Sequence, residues 1–122
     1  MNNSKITALI ATICIFLPAA AYAHAELLKS EPAKDGTLAA SAKEIVFTYE
    51  EKITPASCKL TTADGKEVAS LGKPHADGTV LHIPIAKPLA GGKYSIGCRV
   101  VGPDSHPVNE SISFAVSETS AK

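Results

Sequence analysis

The chain has 122 residues and balances 12 Lys and Arg against 12 Asp and Glu, so it carries no net charge at pH 7. That balance removes the electrostatic case for binding nucleic acid or an anionic membrane surface. The length excludes a large multidomain machine and suits one small domain with a single modest core.

Residues 1–23 read as a targeting segment. Lys5 supplies a positive n-region, and Ile6 to Leu17 form an apolar h-region. Pro18 to Ala23 is a short c-region ending in the small-x-small triplet Ala21-Tyr22-Ala23. A spanning helix needs about 20 apolar residues, so removal is expected rather than retention. A lipidated Cys14 is disfavoured because Ile13 is too large for the residue before such a cysteine. Cleavage after Ala23 leaves one exported domain, residues 24–122, beginning at His24. An N-terminal histidine can chelate one metal ion through its free amine and its ring Nδ1 together, which no internal histidine can do. No later segment is apolar enough to span a bilayer, so a soluble exported product is expected.

Short β-type runs punctuated by Pro, Gly, Asn and Asp predict an all-β sandwich. Ala25 to Lys29 is a first strand, broken by Ser30-Glu31-Pro32 and Asp35-Gly36. Glu44 to Glu50 is a strong strand that puts Ile45, Phe47 and Tyr49 on one face. Cys58 to Thr62 alternates with Cys58 and Leu60 on the same side, and Asp64-Gly65 signals a hairpin turn. Glu67 to Leu71 then reads as the returning strand, and Gly72 to Gly78 as a polar loop. Thr79 to Ile85 is another strand, with Pro84 marking an edge or an end.

The longest strand follows Leu89-Ala90-Gly91-Gly92 and runs to Val101, with Tyr94, Ile96, Cys98 and Val100 on one face. Tyr94 stands where an immunoglobulin-like sandwich makes its corner hydrogen bond. Gly102 to Pro107 is a loop, Val108 to Val116 is the last strand, and Ser117 to Lys122 is a frayed tail. The total is seven or eight strands in an immunoglobulin-like β-sandwich. Of three cysteines, only Cys58 and Cys98 survive cleavage. An even count in an oxidising compartment favours one disulfide over two separate thiols, although spacing alone does not bring the sulfurs together.

Asp104 and His106 are the companions His24 calls for. In extended backbone an i, i+2 spacing puts both side chains on one side, and Pro103 and Pro107 stiffen the loop around them. With the amine and imidazole of His24 they make an N3O donor set. Such a set in a tetragonal plane suits Cu(II), with tetrahedral Zn(II) as the alternative. The amine must lose its proton to bind, and its ordinary pKa is about 7.7–8.0, so affinity should rise with pH across neutrality. Taken alone, an Asp-x-His triplet is more often the mark of a hydrogen-bonded turn than of a ligand pair. His75 is expected in a solvated loop and His82 on an outer strand face, and Glu50-Glu51 at a solvated strand end.

On these residues the chain resembles the CopC family of periplasmic copper-binding proteins. The run from His24 through Leu27 and Ser30 to Pro32-Ala33 is similar to that family's opening, and Ile45 to Glu51 to its second strand. Leu89-x-x-Gly92-x-Tyr94 and Asp104-Ser105-His106-Pro107 look like its tyrosine strand and its Asp-Gly-His-Pro loop. The resemblance implies a Greek-key sandwich holding Cu(II) through an N-terminal histidine brace, with His24, Asp104 and His106 at the metal. It implies a non-enzymatic role in copper tolerance or supply in the periplasm, beside a CopD-type inner-membrane partner. The chain also departs from the family. Met1 is the only methionine and leaves with the leader, so a thioether Cu(I) site is absent. Ser105 replaces the usual glycine, and Glu110 stands where a glycine is common. Cys98 takes a position usually aromatic, and its pairing with Cys58 is expected to link the two sheets. Two other functions compete with a copper carrier or buffer: a histidine-brace oxidase, and a metal-free immunoglobulin-like interaction module.

Overall fold

The computed structural model describes residues 25–118. The leader, its cleavage point, Cys14 and His24 lie outside the described residues, as does the tail from residue 119. Among the described residues eight strands run in chain order: β1 (Leu27–Glu31), β2 (Thr37–Leu38), β3 (Glu44–Tyr49), β4 (Thr54–Thr62), β5 (His75–Asp77), β6 (Val80–Pro84), β7 (Gly92–Val101) and β8 (Pro107–Val116). They form two four-stranded sheets, ordered β1-β3-β6-β5 and β2-β8-β7-β4. Among the described residues no helix is long and apolar enough to cross a membrane.

Alternation builds the sandwich as expected. Ile45, Phe47 and Tyr49 of β3 and Leu81 and Ile83 of β6 are buried from one sheet. Leu60, Ile96, Val100, Ile112 and Phe114 meet them from the other, in one core cluster. Each large apolar side chain so buried contributes about 1.5–3 kcal/mol. Tyr94 and Phe114 are register partners whose rings stack at 5.9 Å. The Tyr94 hydroxyl donates to the Ala90 carbonyl at 2.7 Å, which is the expected corner bond.

Two local expectations need correction. Glu67 to Leu71 is not a strand. It follows β4 for one bridge, Thr61 to Glu67, then crosses to the other sheet and bridges Leu71 to Ile85. The buried Ser70 holds that crossing, its carbonyl accepting from the amides of Ala86 and Lys87. The polar loop from Gly72 contains the edge strand β5, paired with β6 through His75–His82, Ala76–Leu81 and Asp77–Val80. Of the two readings of Pro84, the end is the one met: it closes β6, which lies inside its sheet.

Cys58 and Cys98 are bonded. They do not link the sheets. β4 and β7 are neighbours in one sheet, and the two cysteines are direct register partners with Cα atoms 4.1 Å apart. A non-hydrogen-bonded antiparallel pair brings Cα atoms this close, so two inward cysteines in register meet without crossing the core. Tyr49 is the polar exception inside. Its phenol oxygen is buried and has no hydrogen-bond partner among the described residues. Burial pushes that phenol far above its ordinary pKa, and the Glu110 carboxylate raises it further.

Candidate metal centre

Asp104 and His106 sit in the connection between the two longest strands. β7 and β8 pair down to Val101 and Pro107, and Gly102 to His106 turn the chain between them. Pro103, with its fixed φ, suits the first corner of the turn, which the Ser105 amide closes by donating to the Gly102 carbonyl at 3.0 Å. Ser105 then adopts φ 64°, the left-handed conformation that glycine reaches without strain. The residue that departs from the glycine pattern therefore keeps the glycine backbone.

The two side chains meet, but not by the extended spacing expected. The turn brings them together. Asp104 Oδ1 accepts the His106 amide at 3.1 Å, and Oδ2 accepts from His106 Nδ1 at 3.0 Å. An ionised carboxylate is acceptor-only, so Nδ1–H is the donor and the neutral ring carries its lone pair on Nε2. The hydrogen-bonded turn and the presented imidazole are thus one structure. The Asp104 side chain is 19% exposed and that of His106 is 62% exposed, so the ring stands outward on a carboxylate set into the surface.

Sequence patterning missed two supports of this loop. A Cβ built at Gly102 would lie 3.4 Å from Asp104 Oδ1 and 3.3 Å from the Ala25 Cβ, with the Ala25 amide nitrogen at 3.6 Å. Ala25 itself is fully buried. The first described residue of the domain is thus packed against the loop that carries Asp104. A glycine directly before Pro103 was the available signal, since it permits such close approach.

The other two histidines lie on the outer face of the first sheet. His75 on β5 and His82 on β6 are register partners, and their rings stack at 5.1 Å and 13°. His82 Nδ1 donates to Glu44 Oε2 at 3.1 Å. Among the described residues no group of three or more His, Cys, Asp or Glu side chains is arranged to hold a metal ion. The loop supplies two such residues, and His24 lies outside the described part.

The family model for the CopC domain matches residues 27–117. Copper resistance protein C of Xanthomonas campestris pv. juglandis is 36% identical over 123 residues, spanning 93% of this chain and 96% of its own length. Copper resistance protein C of Pseudomonas syringae pv. tomato is 30% identical, spanning 95% and 98%. Among solved structures, PcoC, a methionine rich copper resistance protein from Escherichia coli, superposes with a TM-score of 0.66 at 30% identity. That match covers 78% of this chain and all of PcoC.

Proposed function

The chain belongs to the CopC family, and from that premise we propose that its mature form, beginning at His24, binds Cu(II) in the periplasm as a carrier or buffer in copper resistance. Leader removal after Ala23 creates the amine. His24 gives that amine and its imidazole, His106 gives its ring, and the Asp104 carboxylate gives the oxygen donor, for which its hydrogen bond to His106 Nδ1 must open. Nitrogen and oxygen donors of this kind suit Cu(II), which also heads the divalent affinity series. With the equatorial positions filled by the protein, little room is left for oxygen or a substrate, which favours a carrier over an oxidase.

The observation that carries the reading is the packing of Ala25 beside Gly102, the residue that opens the turn carrying Asp104 and His106. Residue 24 is bonded to the Ala25 amide, and consecutive Cα atoms are about 3.8 Å apart. That attachment beside the Gly102 turn supports a site shared by His24, Asp104 and His106. The methionine-rich character of PcoC does not carry over, because the one methionine here is Met1. A site of nitrogen and oxygen donors should hold Cu(II) in preference to Cu(I). A CopD-type membrane protein remains the partner proposed for transfer.

The test is a Cu(II) titration of the mature chain and of its Asp104→Ala and His106→Ala variants. One tight equivalent in the parent, lost in His106→Ala and weakened in Asp104→Ala, supports the reading. Equal affinity in all three removes the loop from the site.

A further inference from the structure

The outer face of the first sheet carries an arrangement that the loop site leaves unused. His82 lies on β6, an interior strand held on both sides by β3 and β5. His75 lies directly opposite on β5, the short edge strand. Their rings face each other at 5.1 Å. Glu44, on β3, holds His82 by Nδ1 at 3.1 Å. The carboxylate fixes the tautomer, and the lone pair of the neutral ring lies on Nε2.

We infer that His75 and His82 form a second, weaker site for a borderline divalent transition metal such as Cu(II), with Glu44 as its positioning residue. Imidazole nitrogens are good ligands for copper, zinc and nickel. Metal–imidazole bonds of about 2.0–2.1 Å allow two ligating nitrogens to stand at most about 4 Å apart. Rings stacked with centroids 5.1 Å apart and planes 13° from parallel aim their lone pairs along separate planes, so one ring must rotate to bring its nitrogen to a shared metal. His75 can supply that rotation, because it is exposed and sits on an edge strand of three residues. His82 cannot move as easily, being part-buried and tied to Glu44. Two imidazoles fall short of a closed cage, so water fills the remaining positions, and the site should be weaker than one with an amine chelate. It is built on strands and uses no residue of the Gly102–Pro107 loop, so it does not depend on the loop reading.

Histidine-ring NMR of the mature chain during a Cu(II) titration tests it. Paramagnetic broadening reports which rings the metal approaches. The expected course is that His106 broadens with the first equivalent, and His75 and His82 broaden together with the second. His75→Ala should abolish the His82 response at that stoichiometry. Glu44→Ala should shift the response to about tenfold more copper, with the His106 signal unmoved. If His75 and His82 stay sharp past two equivalents, or if His82 broadens equally in His75→Ala, the site does not exist. If His106 stays sharp while His75 and His82 broaden with the first equivalent, the loop reading fails and this one stands.

Discussion

His106 and His82 each meet a carboxylate through Nδ1, at 3.0 and 3.1 Å, yet they stand on opposite kinds of scaffold. His106 and Asp104 are two residues apart on a tight turn with a left-handed serine. His82 and Glu44 are 38 residues apart, and two paired strands bring them together. The turn lies against Ala25, the first described residue, whereas the strand couple faces a second imidazole. The couple itself therefore does not set the chemistry. In the proposed reading the neighbour does: the amine of His24 in one place, another histidine in the other.

The largest expected effect falls on the sheet that feeds the turn. The Cys58–Cys98 bond joins β4 to β7, whose end leads into Gly102, and it closes a loop with a sequence separation of 40. Loop entropy makes that bond worth about 4 kcal/mol. A Cys58→Ala, Cys98→Ala double variant should lose about that much in urea unfolding. The turn couple should lose order before the strand couple, because the first sheet has no such staple among the described residues. Equal loss in both couples would break the comparison.

The next effect separates the couples by copper affinity. His106→Ala removes a proposed ligand and should cost more than the about 10–100-fold that loss of an orienting partner costs. His82→Ala should leave the first equivalent untouched. The reverse order would exchange their roles.

Smaller effects concern strain. Tyr49→Phe deletes the buried phenol that lacks a partner, and it should stabilise the fold by about 1 kcal/mol while changing neither couple. The sign with pH is set by the raised pKa of Tyr49. Above about pH 10 an unfolded tyrosine ionises while the buried one keeps its proton, so that stability contribution is present below that pH and lost as pH rises. Tyr49→Phe should unfold less readily in alkali. Ser105→Gly relieves about 1–2 kcal/mol of left-handed strain against about 0.5–1 kcal/mol of backbone entropy. The turn should gain a few tenths of a kcal/mol to about 1 kcal/mol, measured by urea unfolding, with copper affinity held or raised.

Period-two alternation made β3, β7 and β8 legible, because each buries one face and a slip would expose it. The corner bond of Tyr94 was legible for the same reason. Segment 67–71 was not, because its tie to Ala86 and Lys87 is tertiary and leaves no local pattern. The β5 edge was hidden among Lys, Pro and Gly, since a strand of three residues is too short to show a period. The residues of the loop couple were legible by type, but their meeting was ascribed to extended spacing when a turn produces it. The two cysteines were legible as partners. Their place in one sheet was not, because inward-facing side chains look alike whether they meet across the core or along a pair of strands.

The most direct test of the copper reading is electron paramagnetic resonance of two otherwise identical proteins, one beginning at His24 and one with a single extra residue before it. The account predicts that the first binds one Cu(II) tightly with nitrogen-rich hyperfine structure, and that the second keeps the fold but loses both the spectrum and the affinity. Identical spectra and affinities would show that the amine of His24 is not a ligand.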